Sequence, residues 1–91
     1  MKFSIYSVRD KLTGYLNISL ERSDALAKRS FGIIVGDSDS VIGRNPGDYD
    51  LYRLGSFDTD SGDIHADIPE FVVSASSLCY DEISSVKEDR R

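Results

Sequence analysis

Apolar and polar positions alternate in two short blocks at the start of the chain. Phe3, Ile5 and Ser7 interleave with Ser4, Tyr6 and Val8, and β-branched and aromatic side chains dominate. This pattern predicts a strand over residues 2–8, and apolar groups on both its faces predict a strand that is central or covered on both sides. Asp10-Lys11-Leu12-Thr13-Gly14 reads as a turn, because Asp bonds its own backbone and Gly accepts positive φ. Leu16, Ile18 and Leu20 then alternate with Asn17 and Ser19, which predicts a second strand antiparallel to the first.

The period changes after Ser23. Ser23 is placed to cap the first N–H groups of a helix, and Asp24 suits the positive end of its dipole. Ala27, Phe31, Ile34 and Val35 fall on one stripe at spacings of three and four, with Lys28 and Arg29 leaning away. Gly36 is placed as the C-terminal cap. Residues 36–48 are dense in Gly, Asp, Ser, Asn and Pro and read as a long loop. Tyr49 to Phe57 reads as a strand, Asp58 to Asp63 as a hairpin loop, and Ile64-His65-Ala66 as the return, which Pro69 ends. Phe71-Val72-Val73 is expected to dock on the core or to add a short edge strand. The elements predict an α+β fold: an antiparallel four- to five-stranded sheet in the order β-β-α-β-β, with one helix packed on a face. One domain is expected over 1–80, followed by a charged tail over 81–91.

Length sharpens this. A chain of 91 residues makes one small domain, which buries only about 60% of the surface its unfolded form exposes. A single helix leaves the far sheet face short of cover, so a homodimer through a sheet face or a strand edge is expected. No apolar run approaches the roughly 20 residues that span a bilayer, and the N-terminus lacks the apolar core of a signal peptide. A single cysteine, Cys79, excludes an internal disulfide framework and a Cys-based zinc site. A cytosolic, reducing location is expected.

Charge divides the chain. Residues 1–45 carry seven basic residues (Lys2, Arg9, Lys11, Arg22, Lys28, Arg29, Arg44) against five acids; residues 46–91 carry four against eleven, and the whole is −5. An acidic protein repels phosphate at long range, yet local basic patches still bind where they converge. Arg9, Lys11, Lys28, Arg29 and Arg44 are the candidates for phosphates, with Tyr6 and Tyr15 as stacking groups for unpaired bases. Signals for chemistry are weak by comparison. Asp58-x-Asp60-x-Gly62-Asp63 looks like a calcium loop, but Gly62 and Pro69 occupy its fifth and twelfth positions, where oxygen ligands are needed. His65 is the only histidine; a pair with Cys79 has no third orienting residue in view. No phosphate-loop or dinucleotide fingerprint occurs. No catalytic residue, metal ligand or cofactor is therefore expected.

Tyr49-Asp50-Leu51-Tyr52-Arg53-Leu54-Gly55-Ser56-Phe57-Asp58-Thr59-Asp60-Ser61-Gly62-Asp63-Ile64 resembles a signature of the small nonstructural protein of gokushoviruses, single-stranded-DNA phages of the Microviridae. Ile5-Tyr6-Ser7-Val8-Arg9-Asp10-Lys11-x-Thr13-Gly14, the Asp24-Ala25-x-Ala27-x-Arg29-x-Phe31 helix, Asn45-Pro46-x-Asp48 and Pro69-Glu70 are similar to the same family, in the same order. The resemblance implies a non-capsid phage protein made in the host bacterial cytoplasm. It further implies a DNA-binding role in single-stranded genome synthesis and packaging. The rival expectation is a protein-interaction module that docks on the phage replication initiator, a capsid precursor or a host protein without touching DNA.

Overall fold

Four strands form one antiparallel sheet: β1 (Lys2–Asp10), β2 (Gly14–Glu21), β3 (Tyr49–Asp58) and β4 (Ile64–Ser74), in the spatial order β2-β1-β3-β4. The computed structural model describes residues 1–78. Helix α1 (Asp24–Gly36) packs on one face, followed by a one-turn helix α2 (Val41–Arg44) and a 3-10 turn (Pro46–Asp48). The expected α+β architecture is the observed one, with four strands.

Local chemistry explains each joint. In the β1–β2 turn, Leu12 N donates to Asp10 Oδ1 at 2.9 Å and Gly14 takes φ 109°, a left-handed conformation that costs glycine little. The β3–β4 hairpin is closed in the same way, with Asp60 N donating to Asp58 Oδ1 at 2.9 Å and Gly62 at φ 80°. At the head of α1, Leu26 N donates to Ser23 Oγ at 3.2 Å. Ala27, Phe31 and Val35 then press onto Tyr6, Tyr49, Leu51 and Ala75, joined by Val8, Val72 and Val73. Tyr6 is 1% exposed, and its hydroxyl crosses the core boundary to donate to Asp24 Oδ1 at 2.6 Å. This one bond ties the central strand to the first turn of the helix.

Several expectations need correction. Gly36 is the last helical residue rather than a left-handed cap; Asp37, in extended backbone, ends the helix and its N–H returns to Ile34 O at 3.1 Å. Ile34 lies on the margin of the apolar stripe and stays exposed. The 36–48 loop holds α2, because Ser40 Oγ accepts from Gly43 N at 2.8 Å while donating back to Ile34 O. Pro69 does not end the returning strand: β4 runs through it to Ser74, and Phe71-Val72-Val73 is its second half. Proline is tolerated there because β4 is an edge strand and Pro69 falls in a bulge, where residues 67–69 stand opposite position 54 alone. Cys79, the domain limit at 80 and the 81–91 tail lie outside the described residues.

Two substitutions test this packing. A Cβ at Gly55 would overlap the carbonyl oxygen of His65 on the neighbouring strand, so Gly55→Ala is expected to destabilise by about 1–3 kcal/mol in urea unfolding, as overpacking does. Tyr6→Phe is expected to cost about 1–2 kcal/mol through the lost hydrogen bond. Burial, and then Asp24, push the Tyr6 phenol up to about 12. An unfolded tyrosine ionises near 10, so the native protein loses this stability as pH rises from about 10 towards 12, and the Phe variant lacks that component.

Candidate functional site

Residues paired across a ladder point to the same side of a sheet, and this divides the surface. Tyr6, Val8, Leu51 and Val73 face α1. Their neighbours in alternate phase, Phe3, Ile5, Ser7 and Arg9, face the other way, together with their partners Leu20, Ile18 and Tyr15 on β2 and Tyr52 and Phe57 on β3. Phe71 and Ile64 on β4 pair with Tyr52 and Phe57 and complete this open face. A bulge in β2 between the Ser7 and Arg9 pairings puts Tyr15 and Ile18 on one side although they are three residues apart. Ser7 fills the floor, 1% exposed, its hydroxyl donating to Leu16 O at 2.9 Å.

An aromatic row crosses the open face. Tyr15 and Tyr52 meet edge to face with centroids 5.7 Å apart, and Tyr52 meets Phe71 in the same way at 5.8 Å. Edge-to-face contacts are the favoured geometry for such rings. The Arg9 guanidinium lies over the Tyr15 ring at 5.8 Å, and Arg22 lies over Phe3 at the same distance towards the other end of β1. Both are cation–π contacts that hold a positive charge against an apolar surface.

Acidic side chains are nearly absent from this face. Among the described residues the one carboxylate paired into it is Asp50, opposite Arg9, and it is only 9% exposed. The others are used elsewhere. Glu21 accepts from Ser30, Asp24 from Tyr6, and Asp67 from Arg53 at 3.0 Å. Asp58 and Asp60 at the hairpin tip take the Met1 amino group, Asp60 at 2.7 Å. The backbone N–H groups of the hairpin loop, with that amino group, hold the Asp58 carboxyl below its ordinary range.

The candidates read from the sequence are scattered by this geometry. Arg9 and Tyr15 lie together on the open face. Tyr6 lies in the core, where its ring meets no surface ligand. Lys11, in the β1–β2 turn, donates to Gly47 O at 2.8 Å and stands 3.9 Å from Asp50. Lys28 and Arg29 are exposed on α1, on the other side of the sheet, and Arg44 is exposed on α2 in the same layer. The five cations therefore do not converge. Arg22 and Phe71, which join the open face beside Tyr52, escaped the sequence reading. Arg22 continues the phase of Ile18 and Leu20, which was a usable signal; Phe71 is brought in only by the β4 bulges.

Other chemistry is sparse. His65 Nε2 lies 3.2 Å from Asp67 Oδ1, and with Lys2, Ser56, Asp58, Asp63 and Ile64 His65 lines a shallow groove of about 520 Å³. Among the described residues no three His, Cys, Asp or Glu side chains are grouped to hold a metal ion, and no helix is long and apolar enough to cross a membrane.

A family model described as phage ORF5 protein matches residues 3–78. The chain belongs to the phage ORF5 protein family. The matched span of this ORF5 protein holds nearly the whole sheet and α1, and with them the complete aromatic row. No curated protein and no solved structure matches the chain.

Proposed function

We propose that this phage ORF5 protein is a non-enzymatic accessory factor that binds single-stranded DNA on the open sheet face, assisting viral genome synthesis or packaging in the cytoplasm of the bacterial host. One observation carries this reading: the row Tyr15–Tyr52–Phe71, flanked by Arg9 and Arg22, on a face almost free of carboxylates. Unpaired bases stack on aromatic rings whatever their sequence, and guanidinium groups meet the phosphates between them. The net charge of −5 opposes DNA at long range, but among the described residues the exposed acids lie in turns, at the hairpin tip and on the helix side. The likeness of residues 49–64 to gokushovirus nonstructural proteins supports the same role.

A second reading draws on the same face. Ile18 and Ile64 are 65% and 70% exposed there, and aliphatic groups give nothing to base stacking. They favour docking on a phage replication or capsid protein, or on a host protein, without DNA.

Fluorescence anisotropy with labelled oligo-dT of about 20 nucleotides separates the two. Binding that weakens steeply as salt rises is expected. Tyr52→Ala should weaken it by about 10-fold, within the 1–3 kcal/mol of one stacked base. Arg9→Glu with Arg22→Glu should weaken it and flatten the salt dependence, while Lys28→Glu with Arg29→Glu should change it little. Absence of binding at low salt removes the DNA reading and leaves the protein-docking one.

A further inference from the structure

The two edges of the sheet are built differently. The β4 edge carries Asp67, Pro69 and Glu70 and is broken by two register shifts against β3, devices that keep an edge strand from recruiting another chain. Among the described residues the β2 edge is less guarded, with a single register shift against β1. It runs for eight residues with no proline, and from Gly14 to Leu20 it carries no charge. Tyr15, Leu16, Ile18 and Leu20 are all exposed along it. An edge with so little protection offers a row of N–H and C=O groups to another strand.

A second apolar surface adjoins it. Ser30 Oγ donates to Glu21 Oε2, at the end of β2, at 3.0 Å, so the Ser30 flank of α1 is the one turned towards β2. The helical repeat of 3.6 residues puts Leu26, Ile33 and Ile34 on that flank, and all three are exposed, Ile33 to 71%. Strand edge and helix flank thus adjoin in one margin, with the Glu21 carboxylate, held by Ser30, between them.

We infer that this margin is the seat of a second copy of the chain. β2 pairs antiparallel with the copy's β2 about a two-fold axis, and the Leu26–Ile33 flank of α1 packs on its own counterpart across the same axis. A two-fold interface must be self-complementary, and here each element meets its like: an unpaired strand edge finds the same edge, an apolar flank the same flank. Two chains of −5 meet along residues 14–20, which carry no charge. Strand pairing alone is a narrow contact, and a standard interface buries about 800 Å² per partner; the helix flank widens it. The axis stands perpendicular to the sheet, so two four-stranded sheets become one, with both open faces on one side and both α1 helices on the other.

Light scattering on the full chain without DNA, at micromolar concentration, should give twice the 10.1 kDa chain mass. Ile33→Glu, on the helix flank, should give the single-chain mass with an unchanged far-UV circular dichroism spectrum. Phe71→Lys, on the open face away from the margin, should keep the double mass. Hydrogen exchange supplies a second reading: β2 amides slow in the native protein should exchange faster in Ile33→Glu, with β4 amides unaltered. A native chain of single mass overturns the inference. So does a double mass that survives Ile33→Glu and is lost in Phe71→Lys, which would put the seam on the open face, and so do β2 amides indifferent to Ile33→Glu.

Discussion

A sheet has two faces, and this chain has one helix of thirteen residues with which to cover them. Most of the structure follows from that shortage. On the covered side, Phe31 and its neighbours on α1 close over Tyr6, Tyr49 and Leu51, and the Tyr6–Asp24 bond locks helix to central strand. On the other side the described residues supply no layer, and the face is finished with rings that shield one another and arginines held over them. Edge-to-face rings lower the exposed apolar area and remain available to a partner. The same shortage leaves β2 and the flank of α1 bare at one margin.

Charge follows the layers of the fold rather than the halves of the chain. Read along the sequence, the first half is basic and the second acidic. In three dimensions the cations of the first half part company: Arg9 and Arg22 go to the open face, Lys28, Arg29 and Arg44 to the helix layer, and Lys11 to a turn where Gly47 and Asp50 hold it. Among the described residues, Asp58 and Asp60 of the second half go to the hairpin tip and Asp67 to a pair with Arg53. Exposed pairs of this kind add little stability; their consequence is that carboxylates are drawn off the open face. The net charge of a small protein is a poor guide to what one of its faces attracts.

Ser23 as cap, the Ala27–Phe31–Val35 stripe, both hairpin turns and all four strands were legible, because each rests on contacts within a few residues. Pro69 misled, since its local meaning is to break a strand and only its place on an edge, inside a bulge, makes it harmless. Ser40 was passed over inside a run of turn residues, although it caps a helical turn. Tyr6 and Tyr15 have the same residue type and both lie on strands, yet one is core and the other surface, because strand phase and the β2 bulge separate them.

The sequence by itself determined the elements, their order, the antiparallel hairpins and the class of fold, all of which depend on local period, capping and turn chemistry. Tertiary structure decided which face each side chain joins. Bulges break the strict alternation of that assignment, and they arise from pairing between distant segments. The aromatic row draws on β2, β3 and β4, and no stretch of chain contains it. The contrast between a β4 edge with proline and charge and a β2 edge without them from Gly14 to Leu20 likewise exists only once the spatial order of the strands is set.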